Sequence, residues 1–100
     1  MRVFVSGPTR LRLRQRARWW HGHREHPEIF DNELRDALDQ LRLHARAYRV
    51  DTVLKGHEIR HIVMKKSGTA LYYYVDDIKG VVRVVGVHGT VRGSQPELDV

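Results

Sequence analysis

From residue 30 to residue 45 the apolar side chains Phe30, Leu34, Leu38, Leu41 and Ala45 recur three or four positions apart, and from residue 58 onward the repeat shortens to two. One period belongs to a helix with a single buried face and the other to strands with alternating faces. A chain that makes this switch once must pack helix against sheet. Pro27 stands where a first-turn proline belongs, and Glu28, Asp31 and Glu33 put negative charge at the positive end of the helix dipole.

The strand-like part reads as 58–65, 70–76 and 81–88. Lys66-Ser67-Gly68 and Asp77-Ile78-Lys79-Gly80 supply the turns, with a further short strand at 50–53 after a connector. Consecutive hairpins of this kind make an antiparallel meander. At the other end Arg2-Val3-Phe4-Val5 is a short strand closed by Ser6-Gly7-Pro8, with Ser6 or Thr9 available to cap a helix after it. The segment RLRLRQRARWW from Arg10 fits both templates. It alternates strictly, yet Leu13, Ala17 and Trp20 also share one helical face. Arginine and alanine favour helix and nothing in the segment is β-branched, so a helix is predicted, ended by Gly22 with His21, His23 and His26 in the connector. The fold class expected is α+β: an N-terminal strand, a two-helix hairpin and a C-terminal antiparallel meander packed against it. Residues 1–100 form one domain, with 93–100 a loosely held tail.

Composition bounds the function. Hydrophobic residues at 41% and charged residues at 30% are a globular balance, and the absence of cysteine removes disulfides, thiolate metal sites and cysteine nucleophiles. No apolar run has the length of a membrane span and no signal-peptide pattern opens the chain, so a cytoplasmic protein without membrane contact is expected. Lys+Arg outnumber Asp+Glu by 18 to 12, a net charge of +6. The excess is concentrated: residues 1–50 hold eleven arginines and no lysine, five of them alternating from Arg10 to Arg18. Such charge favours anionic partners, nucleic acid or acidic protein, without choosing between them; it serves solubility equally well.

Individual motifs are weaker. His21, His23 and His26 flank a glycine and a proline without regular spacing and read as solvated histidines, so no metal or other cofactor is expected. Asp76-Asp77 reads as a hairpin turn, and Lys65-Lys66-Ser67-Gly68-Thr69 lacks the order of a phosphate loop. Alternation sends Tyr73 to one sheet face and Tyr72 and Tyr74 to the other, an arrangement that favours core and cross-strand packing. Arg60, Arg83, His88 and Arg92 form a basic, strand-borne group. It suits phosphates or an acidic protein surface, or is simply a face kept charged against edge pairing.

Trp19-Trp20, Arg24, Pro27-Glu28-Ile29-Phe30 and Glu33-Leu34, followed by Gly56 to Met64, Leu71 to Asp76, Val84 to Gly93 and Pro96-Glu97-Leu98, resemble in order and spacing the RelE/ParE toxin superfamily. The likeness runs from about Val3 to Leu98. It implies a strand, a helical hairpin and an antiparallel sheet, and a bacterial type II toxin neutralised by a cognate antitoxin. Operator DNA would be met only through the antitoxin complex. Members of the superfamily either cleave messenger RNA on the ribosome or poison DNA gyrase. The positions where the nuclease branch carries arginine, arginine and tyrosine correspond here to Ala70, Thr90 and Pro96. The resemblance therefore leans to the gyrase branch and to no enzymatic activity, with Arg60, Arg83, His88 and Arg92 as the target contact. In a nuclease, His88, Arg92 and Arg60 would be the catalytic candidates. A relative that only binds its antitoxin is the third reading. For an acidic, amphipathic antitoxin segment the candidate contacts are Leu11, Trp19 and Trp20; Trp19 falls off the Leu13/Ala17/Trp20 stripe, although both tryptophans in the core is an equal alternative.

Overall fold

A computed structural model of the chain describes residues 1–90 and 95–100. It is α+β in the expected order: β1 (Arg2–Val5), α1 (Gly7–His23), α2 (Glu28–His44), a 3₁₀ turn (Ala45–Ala47), then β2 (Val50–Leu54), β3 (His57–Met64), β4 (Thr69–Asp76) and β5 (Val81–Gly89). The five strands form one sheet in the order β1-β5-β4-β3-β2. β2 to β5 are the antiparallel meander, and β1 returns to lie parallel against β5. Among the described residues no helix is long and apolar enough to cross a membrane.

The core lies between the helices and one sheet face. Phe30, Ala37, Leu41 and Ala45 from the second helical segment and Leu13 from α1 meet Ile62, Met64, Leu71, Tyr73, Val82, Val84 and Val87. Phe30, Leu41, Leu71, Tyr73, Val82 and Val84 have no exposed surface. Each such side chain contributes on the order of 1.5–3 kcal/mol of burial, which is what holds the hairpin to the sheet. Tyr73 carries a hydroxyl into this apolar layer and donates it to the Ala45 carbonyl at 2.6 Å, so the polar group is satisfied. Burial pushes the Tyr73 phenol up to about 12, against the pull of Arg60.

Local chemistry moves several predicted boundaries. Ser6 does cap α1, accepting from the Thr9 N–H at 3.4 Å, but Gly7 and Pro8 open the helix and do not precede it. Nor does Gly22 end it. The Arg24 N–H bonds the Trp20 carbonyl at 3.0 Å and the His23 ring stacks on Trp19, which carries the helix through the glycine; His21 and His23 are therefore helical. Pro27 is the residue before α2, in helical conformation. β2 and β3 are joined by the two-residue turn Lys55-Gly56, both with positive φ (52° and 81°), the geometry that matches strand twist in a tight hairpin. Lysine masks that turn in the sequence.

The chain end departs most from expectation. Of the tail expected at 93–100, residues 93 and 94 lie outside the described residues, and residues 95–100 run back along β5. The Asp99 N–H bonds the Val85 carbonyl at 2.7 Å, and Leu98 crosses Gly86 so closely that a Cβ there would lie 2.6 Å from its methyl carbon. The Asp99 carboxylate accepts from the Ser6 and Thr9 hydroxyls, each at 2.5 Å, and so closes the first turn of α1. Arg12 bridges to Glu97 at 2.8 Å. Val85 is the extra residue of a β-bulge opposite Tyr72 and Tyr73, which leaves its carbonyl on the open edge beyond β1 for this contact.

Candidate functional site: a basic, aromatic cleft

On a helix, the arginine-rich segment sorts differently from its alternating appearance. Arg12, Arg16, Trp19 and Trp20 fall at spacings of four, three and one, on a single side of α1. That side, beside the Leu13 and Ala17 stripe, looks over the end of β5. There it forms one wall of a cleft of about 670 Å³; the other wall is Ser67-Gly68 of the β3–β4 turn and the run Val87 to Thr90. Gln15 and Arg24 complete the lining. None of these side chains is acidic.

The floor is held from three directions. Arg16 Nε donates to the buried Thr69 hydroxyl at 2.9 Å, and its guanidinium lies over Gly89, where a Cβ would stand 3.2 Å from Nη2. The glycine makes room for the arginine. Desolvation lowers the Arg16 pKa, without taking so basic a group out of its charged state. The β3–β4 turn is pinned by Glu33 of α2, whose carboxylate accepts from the Lys66 and Ser67 N–H groups at 2.8 and 2.7 Å. The Thr90 N–H closes onto the Gly68 carbonyl at 2.9 Å.

At the mouth the indoles are edge to face, and the Arg24 guanidinium lies over both, 5.0 Å from the Trp19 ring and 5.4 Å from Trp20. Trp20 also stacks on Phe30 and so belongs partly to the core; Trp19 is 43% exposed. Past Arg24 lies a hollow of about 530 Å³ lined by Glu25, His26, Lys65 and Lys66.

The residues singled out from the sequence are distributed differently. Arg60 pairs with Tyr73 and Arg83 with Tyr74, so the meander brings them near one another while the pleat sends them to opposite faces. Arg60 faces the helices and donates to the Arg46 and Tyr48 carbonyls at 3.0 and 2.5 Å, holding the connector after the 3₁₀ turn. Arg83 reaches Asp76 at 3.4 Å and lies over the Phe4 ring. His88, paired with Ala70, is at the far end of β5 and lines the cleft. Arg92 lies outside the described residues. Leu11 and Trp19, two turns apart on α1, are exposed; Trp20 is half-buried. Of the three histidines expected in the connector, His21 meets Asp31, His23 meets the Trp19 carbonyl and His26 meets Glu28. Among the described residues no three His, Asp or Glu come together as a metal site.

Arg12, Arg16 and Arg24 are not among the site residues expected from the sequence. The signal was available, since arginine and tryptophan at helical spacing place cation and ring on one face. What concealed it was that the facing wall comes from residues more than fifty positions away from Arg12 and Arg16.

The chain matches no family model, no curated protein and no solved structure. The functional reading therefore rests on the sequence and the geometry.

Proposed function

We propose that the chain is the toxin of a bacterial type II toxin–antitoxin pair, acting in the cytoplasm by poisoning DNA gyrase and held in check by a cognate antitoxin. The observation that carries the reading is the cleft. It gathers Arg16 and Arg24 with Arg12, which is paired to Glu97, and with His88 at the end of β5, a mainly cationic concavity on a fold of the layout that the resemblance implies. A cationic concavity focuses the field of the molecule on an anionic partner and speeds the encounter.

The target contact is placed at this rim and not on the strand face, because Arg60 and Arg83 already serve the fold. The antitoxin contact runs along α1 and meets the cleft at Trp19. Leu11 and Trp19, 54% and 43% exposed on α1, offer an apolar strip edged by arginine that suits an acidic, amphipathic segment folding on contact.

Purified protein incubated with gyrase, ATP and supercoiled plasmid is expected to accumulate linear DNA, with Arg24→Gln reducing the yield. Unimpaired supercoiling with no linear product overturns the gyrase target; rapid loss of translation on expression, with gyrase untouched, replaces it with ribosome-dependent cleavage of messenger RNA. A folded protein that stops neither process is no toxin.

A further inference from the structure

The cleft has a built interior, and its chemistry is more specific than positive charge. Its cations are arginines, whose planar forks bind a phosphate through two parallel N–H groups where a lysine offers a point charge. One of them is fixed in advance: Arg16 is anchored through Nε to Thr69 and backed by Gly89, an arrangement that leaves the Nη edge for a ligand and lowers the entropy lost on binding. Both tryptophans of the chain stand at the mouth, and Arg24 bridges cation and ring in one place. Trp19 stacks on His23 and Trp20 on Phe30, so a heterocycle enters in place of the Arg24 guanidinium over the rings, and the guanidinium it displaces moves to its phosphate. The volume of about 670 Å³ is that of a small-ligand site.

Acidic peptide is the other anionic candidate. A carboxylate on a flexible side chain uses the arginines alone, and it makes no use of the exposed Trp19 ring beside them.

We infer that the cleft between α1 and the end of β5 is a binding site for a phosphorylated nucleotide unit, its phosphate on Arg16 and Arg24 and its base against Trp19 and Trp20. The unit is either a free nucleotide or one residue of a single strand that runs on past Arg24. This site goes beyond the toxin reading and does not rest on it: a protein that leaves gyrase untouched binds the nucleotide equally well.

Because both tryptophans line the cleft, intrinsic fluorescence reads its occupancy directly. Five probes are titrated into the full chain: ATP, AMP, inorganic phosphate, a hexathymidylate strand and a hexaglutamate peptide. The expected result is saturable quenching by nucleotide, weakened about tenfold by Arg16→Gln and by Arg24→Gln, as for loss of one charge-assisted contact, and unchanged by Arg42→Gln on the outer side of α2. Circular dichroism confirms that each variant is folded, and Arg24, at the end of α1, keeps the test valid if Arg16→Gln does not fold. Tighter binding of ATP or AMP than of the strand assigns the site to a free nucleotide; tighter binding of the strand assigns it to a polynucleotide. Equal quenching by hexaglutamate, binding of phosphate as tight as that of ATP, equal weakening by Arg42→Gln, or no saturable quenching each overturns the inference.

Discussion

The Asp99 carboxylate accepts the Thr9 hydroxyl at 2.5 Å, joining the second-last residue of the chain to the first turn of its first helix. The same oxygen takes the Ser6 hydroxyl, and Arg12 lies 3.6 Å from the other. The C-terminal segment thus acts as a cap for α1, and the wall of the cleft depends on where α1 sits.

Acid loosens the cap. Burial by itself would raise the Asp99 carboxyl, but the Ser6 and Thr9 hydroxyls, with the Arg12 charge, outweigh it and hold the group below the usual carboxylate range. A carboxyl lowered on folding adds stability that is fully present above its unfolded value, about 3.9, and lost as pH falls through the folded one. Asp99→Asn is expected to cost about 1–2 kcal/mol at pH 7 and much less near pH 3. Urea unfolding of both proteins at the two pH values checks this; an equal gap at both would show that the charge of Asp99 is irrelevant.

Leu98 and Gly86 leave no room for a methyl group. An alanine Cβ at position 86 would lie 2.6 Å from Leu98 Cδ2 and 3.1 Å from the Glu97 carbonyl oxygen, a backbone atom that cannot swing aside. Gly86→Ala is expected to cost about 1–3 kcal/mol as an overpacked contact and to free the segment beyond it. Amide exchange reads the outcome, since the Asp99 N–H bonded to Val85 should lose its protection while the β4 amides keep theirs.

Tyr73→Phe removes the buried hydrogen bond from the Tyr73 hydroxyl to the Ala45 carbonyl. The cost expected is about 1–2 kcal/mol. For a domain of this size that is a fall of roughly 4–8 °C in melting temperature per kcal/mol. In the intact protein Tyr73, raised to about 12, should ionise at the far alkaline end of an absorbance titration. The loss of one titrating group from the start of that curve in Tyr73→Phe, instead of from its end, would contradict the assignment.

Arg60 and Arg83 look equivalent in the sequence and are expected to behave differently. Arg60→Ala strips the Arg46 and Tyr48 carbonyls of their donor and should cost about 1.5–3 kcal/mol. Arg83→Ala gives up a long ion pair to Asp76 and a place over Phe4, worth under about 1 kcal/mol. Denaturation of the two variants in parallel decides; similar losses would mean that the faces of β3 and β5 have been assigned wrongly.

The sequence by itself determined which segments are helix and strand, and which residues fill the core. Those properties come from near neighbours: the Phe30 to Ala45 stripe and the alternation through Tyr72, Tyr73 and Tyr74 are periodic, and burial follows the period. It missed the Lys55-Gly56 turn because lysine is an uncommon residue at positive φ, and a hairpin tolerates it once the flanking strands are paired. Tertiary structure alone decided three things. It turned residues 95–100 from a polar end into a cap, through bonds that span ninety positions or more from Asp99 to Ser6 and Thr9. It separated Arg60 from Arg83, because register fixes the face and register is a property of pairs of strands. And it set Arg16 and Arg24 against Ser67, Gly68 and Gly89, because the docking of a helix on a sheet brings together side chains whose separation along the chain carries no local signal.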